Sequence, residues 1–109
     1  MAVVRLAEYL SPAGQSPHGR WFEGLNAEAA AKVATALYRL AQGNFSSVEG
    51  VGSGVFEYRI DFGPGYRIYF GKDGDSFVIL LGGSTKTRQQ KDIVAAKQRW
   101  EDYKRRKAR

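Results

Sequence analysis

VFEYRIDF at residues 55–62, GPG at 63–65 and YRIYF at 66–70 form the stretch that decides the fold. Apolar and polar residues alternate on both sides of Gly63-Pro64-Gly65, which is the pattern of two antiparallel strands joined by a tight turn. Pairing Phe62 with Tyr66 across the turn sets Ile60 opposite Ile68 and Tyr58 opposite Phe70. Because side chains alternate between the faces of a strand, Glu57, Arg59 and Asp61 then share the other face with Arg67 and Tyr69.

Working outward, Lys72-Asp73-Gly74-Asp75 makes a second turn, and the unbroken apolar run FVILL (77–81) suits a strand buried on both faces and central in its sheet. Beyond Gly82-Gly83, Thr87 and Gln90 have the spacing of a capping box, and Ile93, Ala96, Trp100 and Tyr103 fall on one stripe of a final helix. On the N-terminal side, residues 44–54 (NFSSVEGVGSG) are rich in Gly and Ser and read as a connecting loop. Before them, Ala27 to Gln42 carry Ala30, Val33, Ala34, Leu37, Leu40 and Ala41 at helical spacing, with Asn26 as the N-cap and Gly43 as the stop. Ser16-Pro17 opens a shorter helix bearing Trp21, Phe22 and Leu25, and VVRLAEY (3–9) reads as a first strand. The expected order is β-α-α-β-β-β-α. The fold class is α+β, with a mostly antiparallel, twisted sheet flanked by two N-terminal helices and a C-terminal helix.

The 109 residues fit one domain, 1–109, and 43% hydrophobic residues supply one modest core. With no cysteine there is neither a disulfide framework nor a thiolate metal site. The N-terminus lacks the apolar run of a signal peptide and no later stretch approaches a membrane span, so the expectation is a cytoplasmic protein without a membrane partner. The net charge of +6 is unevenly placed: residues 1–85 hold seven Lys or Arg against eight Asp or Glu, and residues 86–109 hold ten against three. Such a block attracts polyanions, nucleic acid or a ribosomal surface among them; it is equally the composition of a solvated helical face ending in a flexible basic tail, KRRKAR (104–109).

Two readings of the hairpin's polar face stand side by side. In one, Arg59, Arg67 and Lys86 form a phosphate site, since guanidinium forks match phosphate oxygens and stabilise the charge that grows on them when a ribose 2′-OH attacks phosphorus. In the other, Arg59 and Arg67 are strand residues paired with Glu57 and Asp61, and Tyr69 and Lys86 are ordinary packing and surface groups. His18, the only histidine, sits in a Gly/Pro-rich loop and reads as incidental, which excludes a paired-histidine ribonuclease and a histidine metal cluster. GVGSG and GGSTKT lack the complete phosphate-loop pattern, so neither a nucleotide cofactor nor a metal is expected.

GNFSSVEGVGSGVFEYRIDFGPGYRIYF followed by LLGGSTKTRQQKDIVAAKQRW resembles the addiction-module killer proteins of the RelE/ParE superfamily, in its HigB-like branch, from about Trp21 to Trp100. The resemblance implies a RelE-like fold and the toxin of a type II toxin–antitoxin module that inhibits translation as a ribosome-dependent mRNA endoribonuclease. The implied partners are a helix-turn-helix antitoxin, the ribosome and mRNA, with operator DNA reached only through the antitoxin complex. Carried over residue by residue, Arg59 and Arg67 match basic sheet positions at the scissile phosphate, and Lys86 matches one after the last strand. Tyr69, Lys86 and Glu57 are the candidates for acid and base. Two departures are visible: Glu49 stands where related sequences often carry lysine, and no histidine or tyrosine follows Lys86 near the expected site. A ParE-like toxin that blocks DNA gyrase without hydrolysis, or a module that only binds its antitoxin, are the alternative outcomes on the same fold.

Overall fold

A computed structural model describes residues 3–108 as a five-stranded mixed sheet with helices on both faces. Strand β1 (Arg5–Glu8) is followed by α1 (Pro17–Glu23) and α2 (Ala27–Ala41), then β2 (Val48–Gly52), β3 (Val55–Ile60), β4 (Tyr66–Lys72), β5 (Phe77–Thr85) and α3 (Gln89–Lys107). The sheet order is β1-β5-β4-β3-β2, antiparallel throughout except for β1, which runs parallel to β5. Among the described residues no helix is long and apolar enough to cross a membrane.

The helices begin where the sequence signals them. Ser16 caps α1 by accepting from Gly19 N at 2.9 Å, and Asn26 caps α2 by accepting from Ala29 N at 2.9 Å. Alpha-2 ends in a Schellman arrangement: Gly43, at φ +80°, donates to Leu40 O, and Asn44 donates to Arg39 O. Its buried stripe is Ala29, Val33, Ala36 and Leu40, so the apolar face is rotated slightly from the one expected, with Ala34 exposed.

Two cores lie on opposite faces of the sheet. Alpha-1 and α2 cover Tyr58, Ile60, Tyr66, Ile68, Phe70, Val78 and Leu80; α3 covers Val55, Tyr69, Ile79 and Leu81 with Ile93, Ala96 and Trp100. This explains why Val78 to Leu81 are apolar without alternation, each residue meeting one core or the other.

Four expectations are corrected. Residues 48–52 are not loop but edge strand β2, which brings the strands to five and the order to β-α-α-β-β-β-β-α; its Gly-rich sequence has little strand propensity and is held by pairing with β3. The β3–β4 register is displaced by two residues, with Ile60 opposite Tyr66, Tyr58 opposite Ile68 and Phe56 opposite Phe70. The strands separate at Ile60 and the turn takes in Asp61 to Gly65, with Gly65 N donating to Phe62 O at 2.9 Å. A shift of two leaves every side chain on its expected face. The Thr87–Gln90 capping box does not form, because Lys86–Arg88 make a 3-10 turn and neither Thr85 nor Arg88 caps through its side chain. Lastly, the basic segment is helical through Lys107, with Lys107 paired to Asp73 and Arg106 to Asp102 and Leu10 O.

Candidate functional site

The polar face of the β3–β4 hairpin is the face on which α3 packs, and this decides the character of the site. Glu57 is 1% exposed, yet its carboxylate is fully occupied. Oε2 accepts from Arg59 Nε at 3.1 Å, Oε1 accepts from Gln89 Nε2 on α3 at 2.9 Å, and Arg67 Nε approaches Oε1 at 3.9 Å. That last separation is a charge contact without a hydrogen bond, and Arg67 Nε has no hydrogen-bond partner among the described residues. A buried carboxylate tolerates its loss of water when cations and donors surround it, as here.

Arg59 and Arg67 face each other across the ladder, both tied to Glu57. Their environments differ. Arg59 keeps 46% of its side chain in solvent and forms a second ion pair with Glu49 on β2. The two carboxylates raise its already high pKa, the Glu57 hydrogen bond most of all. Arg67 is buried, with Nη1 donating to its neighbour's carbonyl, Tyr66 O, at 3.1 Å. Glu49 and Glu57 stand directly opposite on β2 and β3, a repulsive placement that Arg59 relieves by bridging both.

Tyr69 is buried beneath α3 and shares a 2.8 Å hydrogen bond with Ser84 Oγ on β5. Burial pushes its phenol above the ordinary tyrosine value, with the Glu57 charge acting in the same direction and the Ser84 hydrogen bond opposing. Lys86 is exposed in the 3-10 turn after β5, and its N–H donates to Gly65 O at 3.0 Å. Gly65, at φ +83°, is where Lys86 and Arg67 meet: a Cβ there would lie 3.4 Å from Lys86 Cβ and 3.8 Å from Arg67 Nη1.

The structure therefore gathers all five predicted residues at one end of the sheet but divides them. Arg59 and Lys86 reach solvent; Glu57 and Arg67 are buried, with Glu57 holding Arg59, and Tyr69 is buried separately on Ser84. Asp61, expected as an ion partner of the arginines, makes no ion pair among the described residues, and Glu49 occupies that role. Ser84 and Gln89 are members the sequence reading did not single out. Gln89 sits at the start of the α3 stripe, where a polar residue turned toward the sheet marks a buried hydrogen bond, but nothing local connects it to Glu57. His18 is also relocated: it lies within α1, is buried between Trp21 and Phe22, and has Nδ1 without a partner among the described residues.

These features define an α+β domain with a buried carboxylate–guanidinium network and exposed cations at one sheet end. Over 78 residues, 71% of this chain and 79% of the other, it is 45% identical to an uncharacterized protein of Haemophilus influenzae, and the chain belongs to the same family as that protein. No family model matches the chain.

Proposed function

We propose that the chain is a RelE-like toxin of a type II toxin–antitoxin module, acting in the cytoplasm as a metal-independent endoribonuclease on ribosome-bound mRNA. The observation that carries this reading is the convergence of Arg59, Arg67 and Lys86 at the Gly65 end of the sheet, with Glu57 holding both guanidinium groups. An α+β fold with an antiparallel run β3–β4–β5, two helices on one face and α3 on the other is compatible with this reading, although β2 gives the sheet a fifth strand.

In the reaction, the ribose 2′-oxygen attacks the adjacent phosphorus and loses its proton to water, and the bond to the 5′-oxygen breaks. The products are a 2′,3′-cyclic phosphate and a 5′-hydroxyl. Arg59 stabilises charge on the non-bridging oxygens with the positive charge of the buried Arg67 behind it, and the Lys86 ammonium protonates the leaving oxygen. Tyr69 and Glu57 are positioning residues here, since both are buried. A helix-turn-helix antitoxin is the partner of this reading.

Burial of Tyr69 and Glu57, together with the Glu49–Arg59 pair, favours a second reading, a toxin that acts by binding alone, as in gyrase blockade. Induction of the wild type beside an Arg59→Gln, Lys86→Ala variant separates the two; because Arg59 also bridges Glu49 and Glu57, retention of the fold is checked by circular dichroism and Lys86→Ala alone serves as a second variant. Growth arrest with translation-dependent mRNA breaks in the wild type only supports the ribonuclease. Arrest with intact mRNA and a DNA-damage response sinks it in favour of binding, and unaffected growth sinks both.

A further inference from the structure

Beta-1 pairs with β5 only as far as Leu80, so among the described residues that edge of β5 has no neighbouring strand from Leu81 to Thr85. A cleft of about 540 Å³ opens there, between the start of α1 and the face of α3, within the size range of small-ligand sites. Its construction depends on two adjacent glycines. A Cβ on Gly83 would fall inside the Trp21 ring, and one on Gly82, at φ +152°, would lie 2.7 Å from Arg99 Nη1. Trp21 and Arg99 thus lie directly against the backbone from opposite faces of the sheet. A β-bulge between the Tyr69 and Phe70 pairings falls at the same point, leaving Leu81 without a partner in the ladder, and Arg99 Nη1 donates to Leu81 O at 2.9 Å.

The walls carry three guanidinium groups, Arg20, Arg88 and Arg99, against one carboxylate, Asp92. Among the described residues none of the three makes an ion pair within 4.0 Å; Arg20 Nη1 donates instead to the neutral Gln15 Oε1 at 2.8 Å. Arg99 is half-buried, and loss of water lowers its pKa while Asp92 opposes the shift. A partly desolvated cation without an ion partner is one that an incoming anion stabilises. Asp92 adds an acceptor among donors, which suits a ligand bearing hydroxyl groups beside its phosphate, and the half-buried Trp21 adds an aromatic wall.

We propose that this cleft binds one nucleotide unit of single-stranded RNA, its phosphate on Arg88, Arg99 and Arg20, its base against Trp21 and its ribose 2′-OH toward Asp92. Ser84 joins the cleft to the sheet-end site, since it lines the one and hydrogen-bonds Tyr69 in the other. The inference rests on the RNA-cleaving reading for its ligand, and it makes the cleft the grip on a strand whose next phosphate reaches Lys86.

The test is an amide and indole N–H titration of the full chain by NMR with adenosine 5′-monophosphate, its 2′-deoxy analogue, inorganic phosphate, a single-stranded RNA tetramer and a penta-glutamate peptide. Expected are shifts of the Trp21 indole and the Gly82 and Gly83 amides, with the Trp100 indole unmoved, and at least tenfold tighter binding of the tetramer than of the mononucleotide. Severalfold weaker binding of the deoxy analogue, and at least a tenfold loss in an Arg20→Gln, Arg88→Gln variant with unchanged amide dispersion, are also expected. Shifts confined to Arg59 and Arg67, equal affinity for phosphate and nucleotide, equal affinity for mononucleotide and tetramer, or preferential binding of the peptide would each overturn it. Should that variant misfold, Arg99→Lys, which keeps the charge and loses the fork, must weaken binding in its place. The two proposals fail separately: RNA binding in the cleft with cellular mRNA intact defeats the nuclease, and broken mRNA with no shifts at Trp21 defeats the cleft.

Discussion

Glu57→Gln tests whether the sealed network holds the sheet end together. Glu57 accepts from two donors, Arg59 Nε and Gln89 Nε2, and its charge faces the buried Arg67. An amide has a single acceptor oxygen, so one of the two donors would confront an NH2 group, and Arg67 would lose the charge that compensates it. Breaking a buried pair from one side costs about 3–5 kcal/mol, and the long 3.9 Å approach of Arg67 favours the lower end, about 3 kcal/mol. For a domain of this size that lowers the melting temperature by roughly 10–20 °C. Removing the stranded cation as well, in Glu57→Gln with Arg67→Met, should return more than about 1 kcal/mol, because no buried guanidinium is then left without its counter-charge. Urea denaturation of the two single variants, the double variant and the wild type gives the cycle. A loss below about 1 kcal/mol for Glu57→Gln, or single losses that add to within about 0.5 kcal/mol, would refute the reasoning.

Three further outcomes follow from the packing. Burial holds the His18 pKa below its usual value, so the stability it contributes is present above about pH 6.5 and falls as the pH drops toward the depressed folded value. His18→Leu should flatten the urea midpoint between about pH 7 and 5, and an unchanged slope would assign the acid limb elsewhere. Tyr103, donating to Asp73 Oδ2 at 2.6 Å, has its pKa pushed up to about 12, chiefly by burial. Its contribution is therefore full below about pH 10 and lost as the pH rises through the folded value; Tyr103→Phe should remove that alkaline loss at a cost of about 1 kcal/mol at neutral pH, both read by denaturation from pH 7 to 12. Gly71→Ala would drive a Cβ into the Trp100 ring, and calorimetry should show a loss of about 1–3 kcal/mol, with no loss excluding the tight seating of α3.

What was legible in the sequence was whatever a period or a cap encodes. Asn26 and Ser16 announced their helices, FVILL announced a strand covered twice, and alternation assigned Glu57, Arg59, Arg67 and Tyr69 to one face even though the register moved by two. Beta-2 was not legible, because VEGVG carries no pattern of its own and becomes a strand only when β3 offers its edge. The burial of the hairpin's polar face was hidden for a related reason: alternation reports which residues share a face, but not that α3 will cover it. Gly82 and Gly83 looked like punctuation after a strand, whereas each is required by an aromatic or guanidinium group brought in from far along the chain.

Charge placement separates two roles that the sequence had merged. At the sheet end, Glu49, Glu57 and Asp61 stand against Arg59, Arg67 and the exposed Lys86, leaving no net charge. In the cleft, three arginines stand against Asp92 and leave two. Long-range attraction of a polyanion therefore falls on the cleft and on the face of α3, while a guanidinium already held by two carboxylates contributes direction more than pull. That division suits transition-state stabilisation. On the proposed ribonuclease reading, a cation whose orientation is fixed by Glu57 gives little to ground-state binding and does not have to reorganise when charge develops at phosphorus. Glu49, which departs from the resemblance by its sign, then becomes intelligible as the second hand that fixes Arg59, a role a lysine at that position could not fill.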